Sequence, residues 1–266
     1  MRLSKVLSTA AGVSRRAAQQ AIERGHVRLN GKTVRLAAAV VQRGDAVLLN
    51  GLPVLVPAVD EEQLLAAARV WLYHKPPGLV VTHKDPEKRK TVFEALAGRV
   101  PTRVISVGRL DLQSEGLLLL TDTGALARHL ELPSSGFVRE YDVALACSSW
   151  HVTPEMCERL CAGLTLADGR NTRLRPIKAA VVAPDPSTIE SSGGQETWVR
   201  MALTEGKNRE IRRAWDTLGL LVTKLVRKRY GPFHLPGELG PNEVMEAPAA
   251  DMEVLQQALA NRHGDG

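Results

Sequence analysis

Four consecutive leucines, Leu117–Leu120, constrain this chain more than any other feature of its sequence. The run is apolar enough to be a buried strand, so a core must form around it. With 266 residues, 44% of them hydrophobic, the chain has the material to do so. Just before the run stands Gly108-Arg109-Leu110-Asp111-Leu112-Gln113-Ser114-Glu115-Gly116. This stretch places one carboxylate, Asp111, between an arginine and a glycine turn. A carboxylate there is costly unless a cation pairs with it. Paired and kept ionised, it can act as a nucleophile or base.

The length suits one large domain plus a small one. The net charge of +6 is unevenly placed: residues 1–59 hold nine Lys/Arg and two acids, a net of +7, which leaves −1 for the remainder. A basic module on a near-neutral body suggests a polyanion-binding arm on a chemical domain, with solvated surface charge as the plainer reading. Cys147, Cys157 and Cys161 form neither a disulfide framework nor a zinc site, because no His/Cys cluster completes one. No metal and no cofactor is therefore expected. No run of 18 apolar residues is present, so no membrane span is expected. The first 22 residues lack acids and carry four Lys/Arg plus serines, which also fits an organellar presequence. Because residue 2 already joins a folded pattern, the default location is a bacterial cytoplasm, with mitochondria as the alternative.

Leu3, Val6, Leu7 and Ala10 fall at helical spacing, and Gly12 can end that helix. Ser14 can cap a second helix running Arg15 to Arg24 and stopped by Gly25. A strand is expected at Val27–Leu29, a hairpin turn at Asn30-Gly31, a return strand from Val34 and another strand at Val47–Leu49. Gly25 and Gly31-Lys32-Thr33 only superficially suggest a nucleotide phosphate loop, since five residues separate the glycines where four are needed. Residues 57–68 read as a linker, with an acidic helical turn from Asp60.

In the larger part, strands are expected at Val70–Tyr73, Leu79–Thr82, Val104–Val107, Phe137–Leu145 and Thr197–Leu203. Between the first two lies a stiff corner, His74-Lys75-Pro76-Pro77-Gly78. Helices are expected within residues 85–96, over Ala125–Leu130 with Thr123 as its cap, and from Thr153 to about Gly163. Residues 184–196, rich in Pro, Ser and Gly, read as an exposed hairpin loop. Residues 205–230 hold eight basic residues and three acids. Within them Ile211, Trp215 and Leu218 set one apolar helix face and leave Arg209, Arg212 and Arg213 for other surfaces.

Three of these segments resemble pseudouridine synthases. Gly108–Thr121 resembles the motif G-R-L-D-x-x-[ST]-x-G-L-L-x-L-T. Residues 139–143 resemble [KR]-x-Y-x-V, and Glu205–Gly219 resembles E-G-[KR]-N-R-[EQ]-[IV]-R-R-x-[WFL]-x-x-[LV]-G. The Lys-Pro-x-Gly corner, here with a second proline, is similar to the family's first motif. The N-terminal pattern, R-L-S-K-V-L through I-E-R-G-H-V-R-L-N-G-K-T-V, resembles the small S4-like RNA-binding module first known from a ribosomal small-subunit protein.

The resemblance implies an α+β chain. Residues 1–59 would form the RNA-binding module, and residues 69–250 a synthase domain with a mixed, mainly antiparallel sheet flanked by helices. It implies that Asp111 is the catalytic carboxylate and that Arg212 pairs with it. Tyr141 would lie against the target base, although a cross-strand aromatic in a sheet is the rival reading for that residue alone. Ile211 would pack near the base. Arg109 would bind substrate, and Lys207, Arg209, Lys224, Arg227 and Arg229 would supply phosphate contacts, each reading equally as surface charge when taken singly. Arg15, Arg16, Arg28 and Lys32 would face RNA phosphates. The implied activity is isomerisation of uridine in ribosomal RNA, and Asn208-Arg209-Glu210 with Asp85-Pro86-Glu87 resembles the members acting on large-subunit RNA. The implied partner is ribosomal RNA or a pre-ribosomal particle, bound by a monomeric enzyme. The rival function is a non-catalytic ribosome assembly factor. A hydrolase built on His74, His83 or His129 is poorly supported, because none has a recognisable nucleophile partner.

Overall fold

The computed structural model describes residues 1–42, 44–56, 61–101, 103–146, 152–183 and 196–263. The chain divides into two compact units, Met1–Gln63 and Leu64–Gly266. Among the described residues no helix is long and apolar enough to cross a membrane.

The first unit contains α1 (Leu3–Ala10), α2 (Arg15–Glu23), β1 (Val27–Leu29), β2 (Lys32–Thr33), β3 (Val47–Leu49) and β4 (Leu52–Val54). The four strands form a sheet in the order β2-β1-β3-β4. Ser14 caps α2 as its sequence position suggests, its hydroxyl accepting from Ala17 N at 3.1 Å. Asn30 and Gly31 take φ values of 50° and 79°. Positive φ at both central residues gives the two-residue turn that matches strand twist. Pairing therefore resumes at once, Leu29 opposite Lys32, earlier than the expected start at Val34. The spacing of α1 places Leu3, Val6 and Leu7 on one face, where they meet Ala18, Ile22, Val27, Val41 and Val47 in a small buried core. Arg15, Arg16, Arg28 and Lys32 are all exposed.

At the division lies α3 (Glu61–Ala66). The second unit continues with β5 (Val70–Lys75), α4 (Val92–Ala95), β6 (Ile105–Ser106), β7 (Glu115–Thr121), α5 (Gly124–Glu131), β8 (Arg139–Ala146), α6 (Pro154–Ala162) and β9 (Lys178–Val182). Then come β10 (Glu196–Leu203), α7 (Glu210–Thr217), β11 (Leu221–Tyr230), β12 (Phe233–His234), β13 (Val244–Glu246) and α8 (Ala249–His263). Its sheet runs β13-β5-β7-β11-β8-β10-β9, with β12 on β11 and β6 on β7. The β7–β11 pair is parallel and the other pairs are antiparallel, so the sheet is mixed and mainly antiparallel.

The leucine run is β7, and all four leucines are fully buried. Alternation sends Leu118 and Leu120 into a core with Tyr73, Val143, Ile211 and Trp215. Leu117 and Leu119 enter a second core with Leu72, Leu126, Phe233 and Leu255. Each such burial is worth roughly 2 kcal/mol against exposure. Helix α7 covers the first face; α5 and α8 cover the second. The compact unit runs past residue 250, where the sequence placed its end. The α8 residues Leu255 and Leu259 are core members, and Gln256 Nε2 donates to Ala66 O at 3.1 Å.

Thr123 occupies the N-cap position of α5, but its side chain makes no capping bond. Its hydroxyl donates to Asp122 Oδ1 at 2.8 Å instead. Cys147 lies outside the described residues, as does the expected hairpin loop at 184–196 except for its last residue, which begins β10.

Candidate active site

A cleft of about 700 Å³ opens in the second unit, lined by Asp111, Ser114, Tyr141, Ile211, Arg212 and Arg227 among others. The Asp111 loop reaches it from β7 and is fixed at both ends. At one end, Lys75 is fully buried, and its ammonium donates to the carbonyls of Ser114 (2.8 Å), Pro76 (3.0 Å) and Asp111 (3.1 Å), with Leu112 at 3.4 Å. Gly78 N donates to Leu112 O at 2.7 Å. The Lys-Pro-Pro-Gly corner is thus a clamp on the loop. Burial pulls the Lys75 ammonium down to about 8, opposed by the nearby Asp111 and Glu115 charges. At the other end, Gly116 has φ 96°, and a Cβ there would lie 2.4 Å from Arg227 O. Only glycine lets β11 approach β7 so closely.

The Asp111 carboxylate is one-third exposed and meets Arg209 Nη1 at 3.7 Å. This corrects the sequence expectation, which gave the pairing to Arg212. Arg212 Nη1 donates instead to Val222 O at 2.9 Å, tying α7 to the start of β11. Its Nε and Nη2 are buried with no partner among the described residues. Burial lowers the Arg212 pKa, neighbouring Arg209 lowers it further, and Asp111 raises it, so the three charges share one site. The local cause of the exchange is backbone: Arg209, the N-cap of α7, has φ 49°, a left-handed conformation uncommon outside glycine.

Tyr141 and Ile211 both line the cleft and are nearly buried, at 9% and 5% exposed. Tyr141 stands on β8 opposite Met201 on one side and Arg227 on the other. Arg109 lines the same cleft and is exposed.

Several cations expected to meet phosphate are engaged within the protein. Arg227 is 2% exposed and donates from Nε to Leu117 O at 2.7 Å, its guanidinium 5.1 Å from the Tyr230 ring centre. Lys207 holds Glu205 Oε1 (3.0 Å) and Arg173 O (2.8 Å). Lys224 pairs with Glu115 at 3.2 Å and Arg229 with Glu140 at 3.0 Å. The reason is the same for each: a carboxylate or carbonyl at the sheet requires a donor, and the basic segment supplies it.

Three site features had no role assigned from sequence. Lys75 was read only as part of a stiff turn. Ser114 is 1% exposed and borders the cleft, and its buried hydroxyl has no partner among the described residues. Arg139 is buried, bridging Tyr230 Oη (2.7 Å) and Thr204 O (3.2 Å). A lysine between an apolar strand and two prolines was the available signal for the first. Nothing in the sequence marked the other two as buried.

Residues 69–216 match the family model described as RNA pseudouridylate synthase. The chain belongs to the RNA pseudouridylate synthase family. Residues 1–47 match the S4 domain model. A relative named ribosomal large subunit pseudouridine synthase B, from Xylella fastidiosa, is 39% identical over 97% of this chain and 51% of its own length. A protein of the same name from Xanthomonas campestris is 37% identical over 99% of this chain and 50% of its own length. The chain therefore spans about half the length of these two relatives. An uncharacterized RNA pseudouridine synthase from Rickettsia felis is 40% identical over 87% of this chain and 90% of its own length. Among solved structures, a pseudouridylate synthase superposes with a TM-score of 0.62 at 22% identity, covering 96% of this chain and 99% of that one, which supports the α+β fold.

Proposed function

We propose that this synthase isomerises uridine to pseudouridine in ribosomal RNA of the large subunit. The observation that carries the reading is the cleft itself: an accessible carboxylate, Asp111, beside Arg209, with an aromatic ring and an aliphatic side chain forming the rest of the chamber. In the reaction the N-glycosidic bond breaks, uracil rotates, and a carbon–carbon bond forms to the sugar, so no atom is gained or lost. Asp111 attacks the sugar, deprotonates it, or adds to the base. Each route needs an ionised carboxylate, and Arg209 Nη1 lies 3.7 Å from it. Tyr141 offers a π-face to the base, and Ile211 an apolar wall. Arg212 Nε, Arg212 Nη2 and Ser114 Oγ are buried beside the cleft with no partner among the described residues.

The target nucleotide must leave its stack to enter the cleft, at a cost of a few kcal/mol. Arg15, Arg16, Arg28 and Lys32, exposed on the N-terminal unit, are suited to follow a phosphate backbone and to supply that energy from remote binding. Pseudouridine mapping of ribosomal RNA from cells lacking the gene, complemented with wild type or Asp111→Asn, tests the reading. One site should vanish and return only with wild type. Unchanged maps, with unfinished subunits rescued by Asp111→Asn, would make the protein an assembly factor.

A further inference from the structure

Two buried carboxyls flank the segment that presents Arg209 to Asp111, and the chemistry above uses neither. Glu205 is 6% exposed and Glu210 4%. Glu205 Oε1 accepts from Arg175 N at 2.7 Å and from Lys207 Nζ at 3.0 Å. Its Oε2 lies 2.9 Å from the same ammonium and 4.0 Å from Arg175 Nε. Glu210 Oε2 accepts from Lys207 N at 2.8 Å. Glu210 Oε1 is buried, and as a carboxylate oxygen it has no donor among the described residues.

The charges around this pair are few. On the segment itself they are Lys207 and Arg209, the latter turned toward Asp111. From the chain before β9 come Arg173, which offers its carbonyl to Lys207, and Arg175. Arg213 of α7 is occupied by Asp168. Arg139 of β8 donates to Thr204 O. Lys207 therefore serves both buried carboxyls, Glu205 through its ammonium and Glu210 through its backbone N–H. Two carboxylates cannot donate to each other, but a single proton between them converts repulsion into a hydrogen bond and completes Glu210 Oε1. In agreement, burial and the Glu205 neighbour push the Glu210 carboxyl up to about 8, while the Glu205 carboxyl is lowered because backbone and Lys207 donors outweigh its own burial.

The carboxyl pair also closes the backbone around Arg209. Glu210 accepts from Lys207 N through its side chain and donates from its own N to Lys207 O at 3.1 Å. Between these contacts Arg209 is held at a φ of 49°, a conformation that persists only when its surroundings enforce it.

We propose that Glu210 is a neutral acid in the working enzyme, that it donates its proton to Glu205, and that this bond is the clasp holding residues 204–209 so that Arg209 stands beside Asp111. Glu210 is a positioning residue, acting through Arg209. When it ionises, two buried carboxylates repel each other, the clasp opens, and Asp111 loses its partner. The activity consequence rests on the isomerase reading; the protonation state does not.

The experiment has two arms on full-length protein. Carbonyl infrared spectra without RNA, recorded from well below to well above pH 8, should show a protonated-acid band in wild type at neutral pH. The band should fade near pH 8 and be missing from Glu210→Gln. Modification rates on ribosomal RNA should then fall in wild type above about pH 8, approaching roughly tenfold per unit, whereas Glu210→Gln, whose amide donates to Glu205 without titrating, keeps its neutral-pH rate and stays flat. Should Glu210→Gln misfold, Glu205→Gln replaces it: a glutamine donor beside an ionised Glu210 removes both the band and the fall. The proposal is overturned if wild type lacks the band, if Glu210→Gln loses activity at neutral pH while folded, or if the alkaline fall persists in the variant. Persistence would assign the fall to Lys75, which titrates in the same range. If wild type modifies no RNA at any pH, the isomerase reading fails and the infrared arm alone decides the fate of the clasp.

Discussion

The two units of this chain use their cations in opposite ways. In the N-terminal unit, Arg15, Arg16, Arg28 and Lys32 are exposed around a core of eight buried residues. In the second unit, Lys75, Arg139 and Arg227 are buried and donate to carbonyls and a phenol oxygen, with Arg227 Nη2 left without a partner among the described residues. A count of lysines and arginines treats these populations alike. Removing a cation of the first kind should cost RNA affinity and little stability; removing one of the second should cost stability first.

The sharpest contrast with both populations is Asp111, whose replacement should cost neither stability nor RNA affinity. Asp111→Asn is expected to lower the modification rate by at least roughly a thousandfold, with the unfolding midpoint nearly unchanged. Single-turnover kinetics beside a denaturant titration would check both halves.

Lys75→Met comes next. It removes the donor to the Pro76 and Ser114 carbonyls, while Leu112 O keeps Gly78 N and Asp111 O keeps Ser114 N, and it is expected to destabilise the protein by about 3 kcal/mol. The variant also has a pH signature. The folded-state pKa of Lys75, about 8, is below its ordinary 10.5, so between those values the folded protein binds fewer protons than the unfolded chain. Wild type should therefore gain stability relative to Lys75→Met as pH rises from about 8 to 10.5, and lose that contribution as pH falls back through 8. Chemical unfolding at several pH values would reveal it, and a difference independent of pH would show that Lys75 titrates in the clamp as it does in the unfolded chain.

Replacing Arg15, Arg16, Arg28 and Lys32 together by alanine should raise KM at least roughly tenfold, leave kcat nearly unchanged and flatten the salt dependence of binding. An equal loss of kcat would mean that these cations act on the chemical step. The smallest effect belongs to Arg28→Ala alone, expected to weaken RNA binding by only a few-fold with no change in unfolding, as suits one exposed phosphate contact.

The same contrast explains what could be read from the sequence. Leu117–Leu120 announced a buried strand, because no other element buries four successive leucines so simply, and Asp111 was visible through its motif. The Ser14 cap and the Asn30-Gly31 turn are local chemistry and were legible for that reason. The partner of Asp111 was not. Arg209 and Arg212 both stand in the motif, and the choice between them depends on the left-handed backbone at Arg209 and on the Val222 carbonyl that engages Arg212. Neither is encoded locally. The same holds for Arg227, which looked like a surface charge within a basic run until β11 was placed parallel to β7. Helix α8 was missed because its apolar residues are spread around the helix: Leu255 and Leu259 reach the core while Val254 is exposed, so no single apolar face stands out.

The Lys75 clamp has a consequence for the nucleic acid. A loop pinned by a buried ammonium at one end and a glycine-tight strand crossing at the other has little freedom to reach for its target. On the isomerase reading proposed above, nearly all the adjustment needed to bring a uridine to Asp111 must then be made by the RNA. Selection on that reading follows how readily the RNA deforms, so a uridine in a mobile loop should be favoured over the same sequence locked in a helix.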